Sequence, residues 1–134
     1  MILVDSSVWI DFFSQSPGLA GYELRRLMVE AEPLALSGMI VTEVLQGLTR
    51  DVERIEHELS RWHLLEPQGF ETYREAARLF RLARSRGVAL TTVDALIAAV
   101  SLEHRAVLFT LDKDFGRIAG LAGLGIHPIA QAQC

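Results

Sequence analysis

The stretch MILVDSSVWIDFF, residues 1–13, decides the fold. Ile2-Leu3-Val4 is a short apolar run of the kind found in a strand buried on both faces. Asp5 ends it. Ser6 and Ser7 follow, and each is a good helix N-cap. Val8, Trp9, Phe12 and Phe13 then recur at near-helical spacing. The pattern predicts strand, acid, cap and helix, in that order. In an open parallel sheet ligands gather at the carboxyl ends of the strands. A carboxylate fixed there, after the first and central strand, faces a cleft.

Outward from that opening the chain alternates. Pro17-Gly18 closes the first helical region. Leu24, Leu27, Met28 and Ala31 fall at i, i+3, i+4 and i+7, which predicts an amphipathic helix over 19–31. Asp11, within the first helical region, is expected at the surface without a special role. Leu34–Leu36 reads as a second strand, and Ser37 as the cap of a helix over 39–49 that carries Glu43. Asp51 is positioned to cap a further helix, with Val52, Ile55, Leu59 and Trp62 inward. Leu64-Leu65 is a third strand. The longest helix, over 70–86, is expected to turn Tyr73, Ala77, Phe80 and Ala83 inward, with Gly87 just past its end. Thr91 or Thr92 caps the next helix, which carries Asp94 and runs to about His104. Ala106–Thr110 is the fourth strand, with Asp112 and Asp114 just beyond it. A short helix over 115–121 and a small strand over 126–129 end the pattern. Strands alternating with helices indicate an α/β fold with a small central parallel sheet, flanked by helices on both faces.

The 134 residues suit a single domain spanning 1–134 with a proper core. Half of them are hydrophobic and 22% are charged, an ordinary balance for a globular protein. The one cysteine, Cys134, excludes a disulfide framework within the chain and a cysteine metal site. No apolar run approaches the roughly 20 residues of a membrane span, so a cytoplasmic protein is expected. The net charge of −4, from 13 basic and 17 acidic residues, is unlike that of a plain nucleic-acid binder. It is an average, however. Acids gathered in a metal site lower it, while Arg74, Arg78, Arg81, Arg84 and Arg86 crowd one helix.

Each acid singled out so far has a structural role open to it. Asp5 can receive backbone N–H groups, Asp94 complements a helix dipole, Glu43 can be a solvated helix position, and Asp112 and Asp114 are ordinary turn residues. Their placement says more. Asp5 and Asp112 follow apolar strands at one edge of the sheet. Glu43 and Asp94 lie near the starts of helices that begin at that same edge. Thr110 adds a hydroxyl there. Carboxylates converging on one cleft repel each other unless a cation neutralises them. An all-oxygen ligand set suits Mg²⁺ or Mn²⁺ rather than zinc.

Four segments carry a resemblance: VDSSVWIDFF (4–13), SGMIVTEVLQGL (37–48), TTVDALIAAV (91–100) and LFTLDKDFGRIA (108–119). In this order they resemble the PIN-domain ribonucleases of the VapC toxin type, over essentially the whole chain. The resemblance implies a metal-dependent RNA endonuclease with four acids: Asp5, Glu43, Asp94 and Asp112. Asp114 is a close auxiliary, and Ser6 and Thr110 match the small hydroxyl positions that support the site. Asp5, Asp94 and Asp112 would hold the metal, and cleavage would leave a 5′-phosphate and a 3′-hydroxyl. The resemblance further implies a cognate antitoxin that covers the cleft, and a homodimer. Leu111 departs from the family, which usually has a polar or basic residue there.

The competing reading is a phosphoacceptor signalling domain of the receiver type, which also places strand-end acids and Mg²⁺ in a doubly wound sheet. It needs a lysine at the end of a late strand. The single lysine, Lys113, lies between two acids in a turn. Asp5 is also followed by serines rather than by a second acid. The four histidines, His57, His63, His104 and His127, share no ligand spacing. Trp9 and Trp62 read as core residues.

Overall fold

The computed structural model describes residues 1–129, and Cys134 lies outside them. The described elements are, in chain order, β1 (Ile2–Val4), α1 (Ser6–Phe13), α2 (Leu19–Val29), β2 (Leu34–Ser37), α3 (Gly38–Gln46), α4 (Val52–Ser60), β3 (His63–Leu65), α5 (Phe70–Ser85), α6 (Thr92–Glu103), β4 (Val107–Phe109) and α7 (Lys113–Ala122). The four strands form one parallel sheet in the order β3-β2-β1-β4. Ile2 lies opposite Leu34 on one side and Val107 on the other, and Val4 lies opposite Phe109.

This order places the site. The chain moves outward from β1 to β2 to β3, then returns across the sheet to β4. Parallel crossovers are right-handed, so the two directions of travel put helices on opposite faces. Leu3 and Val4 point to opposite faces, and both are fully buried, so both faces are covered. The direction reverses between β1 and β4. A crevice opens at such a switch point, outside the carboxyl ends of the strands. Asp5 follows β1 there and Asp112 follows β4.

Trp9 anchors this corner. It is fully buried, its Nε1–H donates to the Val4 carbonyl at 3.1 Å, and its ring stacks on Phe13 with centroids 5.9 Å apart. The core expectation for Trp9 therefore holds. The bond also ties α1 to the last residue of β1, one position before Asp5.

Several local expectations are corrected. The N-cap position of α1 is Asp5, and Ser6 and Ser7 lie in the first turn. Asp51 precedes α4 in a left-handed conformation (φ 59°), its side chain makes no cap bond, and Val52 is exposed. The buried face of α5 is Thr72, Ala76, Leu79 and Ala83, so of the expected stripe only Ala83 is fully buried, while Phe80 packs partly buried against the core. The Thr72 hydroxyl donates to the Glu103 carboxylate of α6, and this bond fixes the rotation of α5. Tyr73, Ala77 and Phe80 instead line an open groove of about 400 Å³ against Thr92, Ala95 and Leu96. The strand expected over 126–129 is a single parallel bridge, Ile126 to Leu108. Pro128 has no N–H to extend the ladder.

Asp11 is not a bystander either. Both its carboxylate oxygens accept from Gly18 N, at 3.1 and 3.0 Å, and Oδ2 also accepts from Gly21 N at 2.8 Å. It thus satisfies free amides at the start of α2. Gly21 is required by the close approach of α1 and α2. A Cβ there would lie 2.9 Å from Pro17 Cβ and 3.2 Å from Phe12 Cα.

The segment after α7 is fastened by Glu23 of α2. Its Oε2 lies 2.7 Å from His127 Nε2, and Arg26 Nε donates to its Oε1 at 2.7 Å. The Arg26 hydrogen bond, helped by His127, lowers the Glu23 pKa from 4.5 to about 2. A carboxylate with a depressed folded-state pKa contributes stability above its ordinary value and loses it as pH falls through the depressed one. Glu23→Gln is therefore expected to be less stable than the wild type at neutral pH. The gap should close as pH falls from about 4.5 to about 2, as followed by urea midpoints. A gap of constant size across that window would show that the ion pairs contribute nothing.

Candidate active site

Asp5 is the best-held acid of the cleft. The residue is 5% exposed, and its Oδ2 accepts from Thr110 Oγ1 at 2.8 Å and from Ser7 Oγ at 2.9 Å. Burial raises its proton affinity above the usual carboxylate range. The two hydroxyls and the Ser6 amide oppose that rise, and the charge of Asp94 adds to it. Thr110 follows β4 and Asp5 follows β1, so the bond crosses the switch point between those strands.

Glu43 comes from the middle of α3, whose first turn is capped by the Ser37 hydroxyl. Its Oε1 accepts from Ser6 Oγ at 3.0 Å. Its pKa is also raised, first by burial and then by the charges of Asp5 and Asp94, against the Ser6 hydrogen bond. Asp5, Glu43 and Asp94 therefore share one electrostatic neighbourhood. Ser6 joins Asp5 to Glu43 along the chain.

Asp94 is the third residue of α6 and belongs to a capping box. The Thr91 hydroxyl accepts from Asp94 N at 3.1 Å, and Asp94 Oδ2 accepts from Thr91 N at 3.2 Å. The structural role anticipated for this acid is thus real, and it coexists with an electrostatic reach to Asp5. Asp112 caps α7. Its Oδ1 accepts from Asp114 N at 2.9 Å, and its own amide donates to Thr110 Oγ1 at 3.0 Å. Asp114 accepts from Arg117 Nη1 at 2.7 Å, which commits it partly to α7.

Ser7 was expected only to cap a helix. Instead it joins Asp5 to the loop after β4, because its Oγ also accepts from Leu111 N at 3.1 Å. The tandem Ser6-Ser7 was the one available signal, since a helix needs a single cap.

Among the described residues no three carboxylate, imidazole or thiol groups stand close enough to enclose a metal ion. The donors are nonetheless all oxygen, and crowding and burial hold two of them above their ordinary pKa values. That chemistry fits a hard divalent cation that takes few protein ligands and completes its shell with water and a substrate phosphate.

The PIN domain family model matches residues 2–121. The chain belongs to the PIN domain family. Ribonuclease VapC11 of Mycobacterium tuberculosis is 34% identical to this PIN chain over 131 residues, covering 92% of the chain and 96% of that protein. Two solved structures share the PIN fold. VapBC2 from Rickettsia felis, bound to a DNA fragment from its promoter, has a TM-score of 0.74 at 19% identity, over 95% of this chain and 98% of that one. A toxin–antitoxin complex from Klebsiella pneumoniae has a TM-score of 0.70 at 24% identity, over 90% and 94%. At these identities the two structures speak to the fold.

Proposed function

We propose that this chain is a divalent-metal-dependent endoribonuclease, the toxin of a type II toxin–antitoxin pair. The observation that carries the reading is the hydrogen-bonded placement of Asp5 and Glu43 at the carboxyl edge of a PIN sheet. Asp5 is held by Ser7 and Thr110 and Glu43 by Ser6, with burial foremost and the Asp94 charge after it raising the pKa of both. The 34% identity to a named VapC ribonuclease supplies the substrate class.

Asp5, Asp94 and Asp112 are the acids the PIN resemblance assigns to Mg²⁺ or Mn²⁺. Among the described residues they do not form a closed three-ligand cage, so part of their hold on the ion would run through its waters. The ion would polarise the scissile phosphate and acidify the attacking water. Glu43, oriented by Ser6 and with a raised proton affinity, is suited to take a proton from that water. Thr110 fixes Asp5 and the Asp112 amide at once. Arg74 and Arg78 of α5 are tied to Glu71 and Glu75. Arg81 lines the groove that reaches Thr92 at the head of the Asp94 helix, a position suited to the RNA backbone.

The same reading makes residues 1–134 one PIN domain, active in the cytoplasm as a homodimer and silenced by an antitoxin. Among the described residues no helix is long and apolar enough to cross a membrane. The receiver-type alternative is not favoured, since Lys113 opens α7 rather than ending a strand.

The test is RNA cleavage by the purified protein. Activity is expected with Mg²⁺ or Mn²⁺ and is expected to vanish in excess EDTA, returning when the ion is restored. Cleavage that persists undiminished in chelator would sink the metal-dependent reading.

A further inference from the structure

The backbone ladder between β1 and β4 ends where Asp5 N donates to the Phe109 carbonyl at 2.9 Å. Beyond that point the two strands part, and the acids that follow them belong to separate loops. Two hydroxyls span the gap. Thr110 Oγ1 donates to Asp5 Oδ2 and accepts from Asp112 N. Ser7 Oγ donates to the same Oδ2 and accepts from Leu111 N. Successive amides of the loop after β4 are thus hung, each through one hydroxyl, on a single carboxylate oxygen.

The directions of these bonds are fixed by the partners. An ionised carboxylate only accepts and a backbone N–H only donates. Each hydroxyl must therefore give its proton to Asp5 and take one from the loop. Both fall on Oδ2, which leaves Oδ1 as the oxygen free of these hydroxyls. Helix capping does not account for Ser7. It is the second residue of α1, and its amide partner lies 104 positions along the chain.

We propose that Ser7 is a positioning residue of the acidic site: by tying the Leu111 amide to Asp5, it sets the spacing between the strand-end acids Asp5 and Asp112 and aims Asp5 Oδ1 into the cleft. The inference rests on the metal-dependent nuclease reading. Ser7 touches neither substrate nor ion. It acts through Asp5, in the manner of the outer hydrogen-bond partners that orient metal ligands.

The test compares wild type, Ser7→Ala, Ser7→Thr and Ser7→Val. Calorimetric titration of metal-free protein with Mn²⁺ gives the dissociation constant, beside kcat and KM for RNA and the thermal midpoint. Ser7→Ala is expected to weaken Mn²⁺ binding by about tenfold to a hundredfold. It should lower kcat at limiting Mn²⁺, leave KM for RNA near the wild-type value, and recover activity at high Mn²⁺. The Leu111 amide is exposed, so water can replace the lost bond and the thermal midpoint should move little. Ser7→Thr keeps the hydroxyl and is expected to retain Mn²⁺ affinity. Ser7→Val has nearly the same shape without it and is expected to match Ser7→Ala, which keeps the comparison open if alanine misfolds. Unchanged Mn²⁺ affinity in Ser7→Ala and Ser7→Val, whatever their thermal midpoints, overturns the inference alone. A wild type that neither binds Mn²⁺ nor cleaves RNA overturns the nuclease reading and this inference with it.

Discussion

Asp5→Asn is expected to cut metal-dependent RNA cleavage by about three orders of magnitude while raising the thermal midpoint at neutral pH. The activity loss follows from the metal-ligand role proposed for Asp5, whose charge the substitution removes. Metal stabilisation of a phosphoryl transition state amounts to several kcal/mol, and about 4 kcal/mol is about a thousandfold in rate. The stability gain follows from the sign of the pKa shift. Burial raises the Asp5 pKa above its ordinary value of 3.8, so ionising it costs the folded state. A group raised in this way favours folding fully below its ordinary pKa, and that contribution is lost as pH rises through the folded value. Asparagine is neutral throughout, and its Oδ1 can still accept from both Thr110 and Ser7. The advantage of the variant should therefore shrink as the medium is acidified toward pH 4. A variant that is inactive and also less stable at pH 7 would mean that Asp5 is chiefly structural.

The second large effect separates the capping role of Asp94 from the catalytic role proposed for it. Thr91→Ala removes the acceptor for the Asp94 amide and should cost about 1 kcal/mol of stability, with cleavage retained. Asp94→Asn keeps an oxygen for the Thr91 amide and gives up only the charge at the start of α6, worth about 0.3–1 kcal/mol. Its stability loss should be no larger than that of Thr91→Ala. Its cleavage should nevertheless fall by at least about a hundredfold, the equivalent of about 2.7 kcal/mol. The measurement is cleavage rate against thermal midpoint for both variants. If activity followed stability in the two proteins alike, Asp94 would be a cap and nothing more.

The parts legible in the sequence were those with a strong local signature. Ile2–Val4 and the end of β4 are apolar throughout, and Asp5 and Asp112 after them fall at one edge because a parallel sheet has only one carboxyl edge. The capping box of α6 was half visible, as a threonine three residues before an acid. The rotation of α5 was not. Tyr73, Ala77 and Phe80 make as good an apolar stripe as Thr72, Ala76 and Leu79. The choice between them was made by Glu103, a partner 31 residues from Thr72. Asp11 failed for the same reason, since its partners are amides of the next helix. Ser7 was read as local because a serine after a strand usually is. Its amide partner belongs to the far end of the chain.

Three of the four acids sit at the starts of different helices: Asp5 at α1, Asp94 at α6 and Asp112 at α7. Each helix start carries the equivalent of about half a positive charge. Three of them directed at one crevice would offset about one and a half of the negative charges gathered there. A polyanion approaching the site thus meets a weaker repulsion than a count of carboxylates suggests. The net charge of −4 is a poor guide to what the crevice attracts, because part of the relevant electrostatics is carried by peptide bonds, which no tally of side chains includes.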